Sequence, residues 1–121
     1  MRVIGVNHVQ VNVTKDELPA AREFYLGFLG GTEIPRPDFG PNFHGFWFRA
    51  GNFEMHVGTE TGVDRAATRA HVAYEVADVQ AWRKKVLEQK LEIVEQPKID
   101  GFDRFHFRDP FGNNLELIQR L

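Results

Sequence analysis

The sequence predicts an α+β fold made of two βαβββ modules in tandem. Several short runs alternate apolar and polar residues, which is the period of a strand with one buried face. Two longer runs carry apolar residues at spacings of three and four, the stripe of an amphipathic helix. The order strand, helix, three strands then occurs twice within 121 residues, and an internal repeat of this kind fixes an architecture before any single residue does.

Residues 3–13 open the first module. Val9, Val11 and Val13 point one way, and His8, Gln10 and Asn12 the other, so the run reads as a strand. Thr14 or Asp16 can cap the helix that follows, whose stripe is Leu18, Ala21, Phe24, Tyr25 and Phe28. Gly30 and Gly31 end it, because glycine adopts the left-handed conformation that closes a helix. A short strand at 32–35 leads into a proline- and glycine-rich loop at 35–41. Strands at 43–50 and 53–59 meet at a tight turn, Gly51-Asn52.

Residues 60–68 have no apolar periodicity and read as a linker. The modules are therefore expected at about 1–60 and 69–121 of a single domain. Residues 70–77 alternate as a strand, with His71, Ala73 and Glu75 on one face. Asp78 caps the second helix, which carries Val79, Trp82 and Val86 on one side. Strands follow at 91–95, 102–108 and 114–119, the last two joined by a turn at Asp109, Pro110, Phe111 and Gly112.

Composition narrows the function. Hydrophobic content is 42%, charged content 26% and net charge −2, so nothing calls for nucleic acid or an anionic membrane. The chain has no cysteine, which excludes disulfides, thiolate metal sites and a cysteine nucleophile. The opening MRVIGVNHVQ lacks the apolar run of a signal peptide, and no stretch approaches the roughly 20 apolar residues that span a bilayer. A cytoplasmic protein is expected.

The chemistry lies on the polar strand faces. His8 and His71 occupy the first strand of each module, and His56 and Glu116 the last. A solvated sheet face also carries polar residues, but it favours Lys, Thr and Glu and has no need of imidazole. Three histidines and one glutamate at repeat-equivalent positions suit one borderline divalent ion (Zn, Ni, Co, Mn or Fe) and argue against Ca or Mg. Glu54, two residues before His56 on the same face, is the substitute ligand.

The opening NHVQVNV strand, the REFYLGFLGG helix end, the paired modules and the closing DPFGNNLELIQ together resemble the vicinal oxygen chelate superfamily of glyoxalases, bleomycin resistance proteins and extradiol dioxygenases. The resemblance covers essentially the whole chain, and DPFGNNLE is its most specific piece. It implies a curved half-barrel mixed sheet with the helices outside, and metal ligands at His8, His56, His71 and Glu116. Glyoxalases usually carry Glu where this chain has His56, and methylmalonyl-CoA epimerases usually carry Gln. Ring-cleaving dioxygenases and fosfomycin thiol transferases use a three-residue set that His8, His71 and Glu116 reproduce.

The resemblance implies a metal-dependent lyase or isomerase acting on a small substrate with two neighbouring oxygens. An extradiol-type dioxygenase is the alternative. A thiol transferase is disfavoured by Gln10, where the fosfomycin enzymes carry threonine, and a metal-free drug-binding module by the retained ligands. A second group must move a proton. The candidates are Glu116, detaching transiently from the metal, and Glu75, with Glu54 behind them. Phe43, Phe46, Phe48 or Trp47, and Phe105 and Phe107, are candidate pocket aromatics, though most would serve as core. Arg36, Arg49 and Arg104 could hold an anionic tail. His106 is a candidate pocket-edge donor, His44 a loop residue, and the 35–41 loop a candidate lid. A homodimer is expected, with the modules paired within one chain or exchanged between two.

Overall fold

A computed structural model describes residues 1–121. The chain divides into two compact units, Met1–Val63 and Asp64–Leu121, each a βαβββ module with its own four-stranded mixed sheet. In the first unit β1 (Val9–Val13), β2 (Thr32–Ile34), β3 (Phe46–Ala50) and β4 (Phe53–Thr59) lie in the order β1-β4-β3-β2. In the second, β5 (His71–Glu75), β6 (Ile93–Glu95), β7 (Phe102–Arg108) and β8 (Asn114–Arg120) lie in the order β5-β8-β7-β6. The first strand of each unit runs parallel to the last, and the remaining pairs are antiparallel.

Alternation along each strand sends one set of side chains under the helix. Phe46, Phe48, Met55 and Val57 are fully buried in the first unit, and Phe105, Phe107, Leu115 and Leu117 in the second. Removing aromatic and aliphatic side chains from water is what holds each small sheet together. The repeat extends to the cations over these cores. Arg22 pairs with Glu33 and lies 4.8 Å over the Phe46 ring. Arg83 pairs with Glu95 and lies 4.8 Å over the Phe105 ring.

The first helical segment is not the regular helix that its stripe predicts. It runs as a 3₁₀ turn (Lys15–Glu17), an α-helical turn (α1, Leu18–Arg22) and a wider π turn (Glu23–Phe28). The Thr14 backbone N–H donates to Glu17 Oε1 at 2.8 Å, which caps the start. The wide turn seats both Phe24 and Tyr25 in the core. Gly30, at φ 88°, reverses the chain. At Gly31 a Cβ would lie 2.5 Å from the Phe48 ring, so a glycine is required there. The second helix, α2 (Val79–Glu88), is regular and is capped by Asp78, whose Oδ1 accepts from the Ala81 N–H at 3.0 Å.

Two expectations are corrected. The first strand begins at Val9, not at residue 3, because its partner runs out: Val9 already faces Met55, two residues from the start of β4. Residues 3–6 are an apolar, β-branched run but have no strand beside them, and Val3, Ile4 and Val6 are exposed. The linker expected at 60–68 is partly structured. Glu60 N–H bonds to Val13 O, and Arg65–Ala67 forms a 3₁₀ turn. Arg108 clamps that turn by donating to Arg65 O at 3.0 Å and Thr68 O at 2.6 Å.

Candidate metal-ligand clusters

The register of each parallel pair decides which polar residues meet. In the first unit Gln10 faces His56 across β1 and β4, while Trp47 faces His56 across β3 and β4. His8 lies two residues before Gln10, on the same face and just outside β1. The His56 ring stacks against Trp47 at 3.8 Å and 3° and against His8 at 3.9 Å and 18°. Its Nε2 lies 2.8 Å from Glu54 Oε2. His8, Glu54 and His56 therefore bring their ligand atoms within 4.8 Å of one another. His8 is exposed, Glu54 half-buried and His56 buried. This cluster opens into a cavity of about 850 Å³.

In the second unit Ala73 faces Glu116, and His106 faces Glu116 from the other side. Glu116 is buried, and its Oε1 is the meeting point of the cluster. His106 Nε2 lies 2.5 Å from that oxygen. Arg104 Nη1 donates to it at 3.0 Å, and His71 Nε2 lies 3.4 Å away. Arg104 is held in turn by Pro97 O, to which Nη2 donates at 2.7 Å. His71, His106 and Glu116 form the second group within 4.8 Å.

The two exposed histidines are oriented alike. His8 Nδ1 lies 2.9 Å from Asn7 Oδ1, and His71 Nδ1 lies 3.0 Å from Arg69 O. Each of these Nδ1 atoms lies beside an oxygen acceptor, and an Nδ1–H donated to it leaves Nε2 available as a ligand atom. An N–H fixed on an outer acceptor is the usual arrangement of a metal-bound histidine. Two imidazoles and one carboxylate in each cluster fit a borderline divalent ion on donor chemistry.

The structure brings His8 to His56 and His71 to Glu116, as the strand faces predict. Glu54, the substitute for His56 expected from the sequence, lies beside His56 in this cluster. Glu75 joins neither cluster. It stands at the far end of β5, exposed, with its Oε1 3.4 Å from Arg120 Nη2. Phe46, Phe48, Phe105 and Phe107 are core on the opposite face and do not line the cavity beside His56, whereas Phe43 and Trp47 do. His44, in the loop before β3, also borders it. His106 and Arg104 are closer to Glu116 than their sequence positions suggest. Counting rungs back across the turn from Glu116 reaches His106, and Arg104 is two residues beyond on the same face.

Tyr74, on β5 of this sheet, has a clear electrostatic displacement. Burial pushes its phenol well above the ordinary value of 10.0, and the Asp109 charge adds to the effect. No helix is long and apolar enough to cross a membrane.

The Glyoxalase/Bleomycin resistance protein/Dioxygenase superfamily model matches residues 5–117. A protein from Bacillus anthracis, described as of the glyoxalase family, is 33% identical over 100% of both chains, with a TM-score of 0.86. The fosfomycin resistance protein FosX from Listeria monocytogenes, crystallised with Mn(II) and sulfate, is 17% identical. Its match covers 99% of this chain and 93% of that one, with a TM-score of 0.78. A variant of the same FosX, holding Mn(II) and 1S,2S-dihydroxypropylphosphonic acid, is 15% identical and also scores 0.78, covering 99% and 95%. No curated protein matches the chain.

Proposed function

Because the chain belongs to the glyoxalase/bleomycin resistance protein/dioxygenase superfamily, we propose that it is a divalent-metal-dependent enzyme. It acts as a lyase or isomerase on a small molecule that offers two neighbouring oxygens. The proposed metal ligands are His8, His56, His71 and Glu116, and the ion is Zn, Ni, Co, Mn or Fe. The FosX structures with Mn(II) are compatible with that choice. The observation that carries the reading is the shared setting of His8 and His71, each with Nδ1 beside an outer oxygen acceptor, which leaves Nε2 available as a ligand atom.

When bound, the ion supplies Lewis-acid stabilisation of negative charge on a chelated oxygen. The side chains do the rest. Trp47 and His8 hold the His56 ring by stacking on it. Arg104 holds Glu116 in place from within the sheet face. Glu116 Oε1, beside His106 Nε2, is the group proposed to exchange a proton with the substrate. Glu75 stands outside this machinery. The proposal includes a homodimer, which sedimentation equilibrium tests.

The experiment is metal analysis of protein purified without added metal, compared with H8A and E116Q. A bound divalent ion in the parent, lost in both variants, is the expected result. Parent protein free of bound metal at neutral pH, and unable to take up any of the five ions, overturns the reading. A ring-cleaving dioxygenase is the second reading, favoured by the two-histidine, one-carboxylate composition of each cluster. Oxygen uptake with catechols by the Fe(II)-loaded protein would select it.

A further inference from the structure

The cavity of the first unit contains more than candidate metal ligands. Its far wall is aromatic. Phe39 lies 6.3 Å from Trp47 and 6.4 Å from Phe43. Phe39 is 49% exposed and Phe43 62%, so two large rings meet water at the cavity mouth. The Arg36 guanidinium lies 5.0 Å over the Phe39 ring. Stacking occupies the face of a guanidinium and leaves its N–H donors, which lie in the plane, free for another group. Arg36 forms no ion pair, and its Nη1 reaches Pro37 O only at 3.5 Å, a weak hydrogen bond. Glu54 is the single carboxylate lining the cavity, and His56 engages it. A half-buried cation without a counter-ion therefore sits at the edge of an aromatic wall, in a space of about 850 Å³. That is ample for a small ligand.

We propose that this cavity binds planar aromatic carboxylates, with the carboxylate on Arg36 and the ring against Phe39, Phe43 and Trp47. The opposite end of such a ligand faces His8 and His56. Its identity as the substrate rests on the metal-dependent reading above, whereas its binding does not.

The test is calorimetric titration of metal-stripped and Mn(II)-loaded protein with benzoate, cyclohexanecarboxylate, benzyl alcohol and acetate. Benzoate is expected to bind about tenfold tighter than each of the others, since one charge-assisted hydrogen-bonded pair or one aromatic contact is of that order. R36Q is expected to weaken benzoate about tenfold, the size of a lost charge-assisted pair, and to leave benzyl alcohol unchanged. F43A is expected to weaken both. Benzoate binding no tighter than acetate, or unaffected by R36Q, overturns the proposal. So does an F43A variant that alters only the oligomeric state, because the rings would then be an interface between copies. Metal content read on the same samples separates the two ideas. Benzoate binding lost with metal retained sinks the cavity assignment alone. Metal lost with benzoate binding retained in the stripped protein sinks only the enzyme reading.

Discussion

The two units share a backbone plan, but they treat their polar faces differently. In the first, His56 is packed by rings: Trp47 on one side and His8 on the other, with a single hydrogen bond to Glu54. In the second, His106 takes the position of Trp47, and Arg104 and His106 both converge on the buried Glu116. The first cluster is aromatic and open to a cavity. The second is a charged network beneath an exposed histidine. Stacking tolerates loss of a partner, because an exposed ring can be rehydrated at little cost. A buried charge network does not, because removing one member leaves the others uncompensated.

The largest effects should come from that contrast. E116A leaves the Arg104 guanidinium without its carboxylate, and breaking a buried pair of this kind costs about 3–5 kcal/mol. The expected outcome is a sharply lowered denaturation midpoint together with loss of metal. H8A is expected to lose metal with an unchanged midpoint, because His8 is exposed and its ring contact is peripheral. Chemical denaturation of both variants, each with metal content measured, checks the pair. Equal midpoints for H8A and E116A would remove the distinction between the units.

Much of this architecture is legible in the sequence, and the misses have physical causes. The limits of β4 follow from its tight turn and its alternation, and the end of β7 from the turn at Asp109, none of which needs tertiary knowledge. The polar faces follow from period 2, so His8, Glu54, His56, His71 and Glu116 can be assigned to faces from sequence alone. Pairing partners cannot be read in the same way. Residues 3–6 are as apolar and β-branched as a strand, yet no strand pairs with them and they stay exposed. The π turn at Glu23–Phe28 is invisible to a stripe of threes and fours, because it answers to where Phe24 and Tyr25 must be seated. The convergence of Arg104 and His106 on Glu116 depends on hairpin register, which the Asp109 turn sets.

That turn is the second contrast. The β3–β4 connection reverses at Gly51, with φ 57°, and uses backbone alone. In the β7–β8 connection Asp109 Oδ1 accepts from the Phe111 and Asn113 N–H groups at 2.9 and 2.8 Å, and Oδ2 accepts from Asn113 Nδ2 at 3.0 Å. Asp109 is 4% exposed, so these bonds are shielded from water. D109A is expected to cost about 2–3 kcal/mol, the range for hydrogen bonds to a buried charged group. N52A on the exposed turn should stay within about 0.5 kcal/mol. Urea midpoints of the two variants compare a turn organised by a side chain with one organised by backbone.

The smallest effect concerns the buried side of the parallel pairs. Val11 in β1 and Tyr74 in β5 are repeat equivalents, and only the second carries a titratable group. The Tyr74 hydroxyl is buried with no hydrogen-bond partner. Burial, with the Asp109 charge adding to it, raises the phenol above its ordinary 10.0. The folded chain therefore keeps this proton at pH values where the unfolded chain has released it. The unfolded state then binds fewer protons, so stability must fall as pH rises above about 10, while below that pH the Tyr74 contribution is fully retained. Y74F removes both the titration and an unsatisfied hydroxyl. At pH 7 it should be neutral or stabilising by up to about 1 kcal/mol, and its advantage over the parent should widen between pH 10 and 11. Denaturation midpoints at the two ends of that interval measure the difference. A Y74F protein that loses stability above pH 10 as steeply as the parent would show that the phenol is hydrated, and that β5 is no more sensitive to alkali than β1.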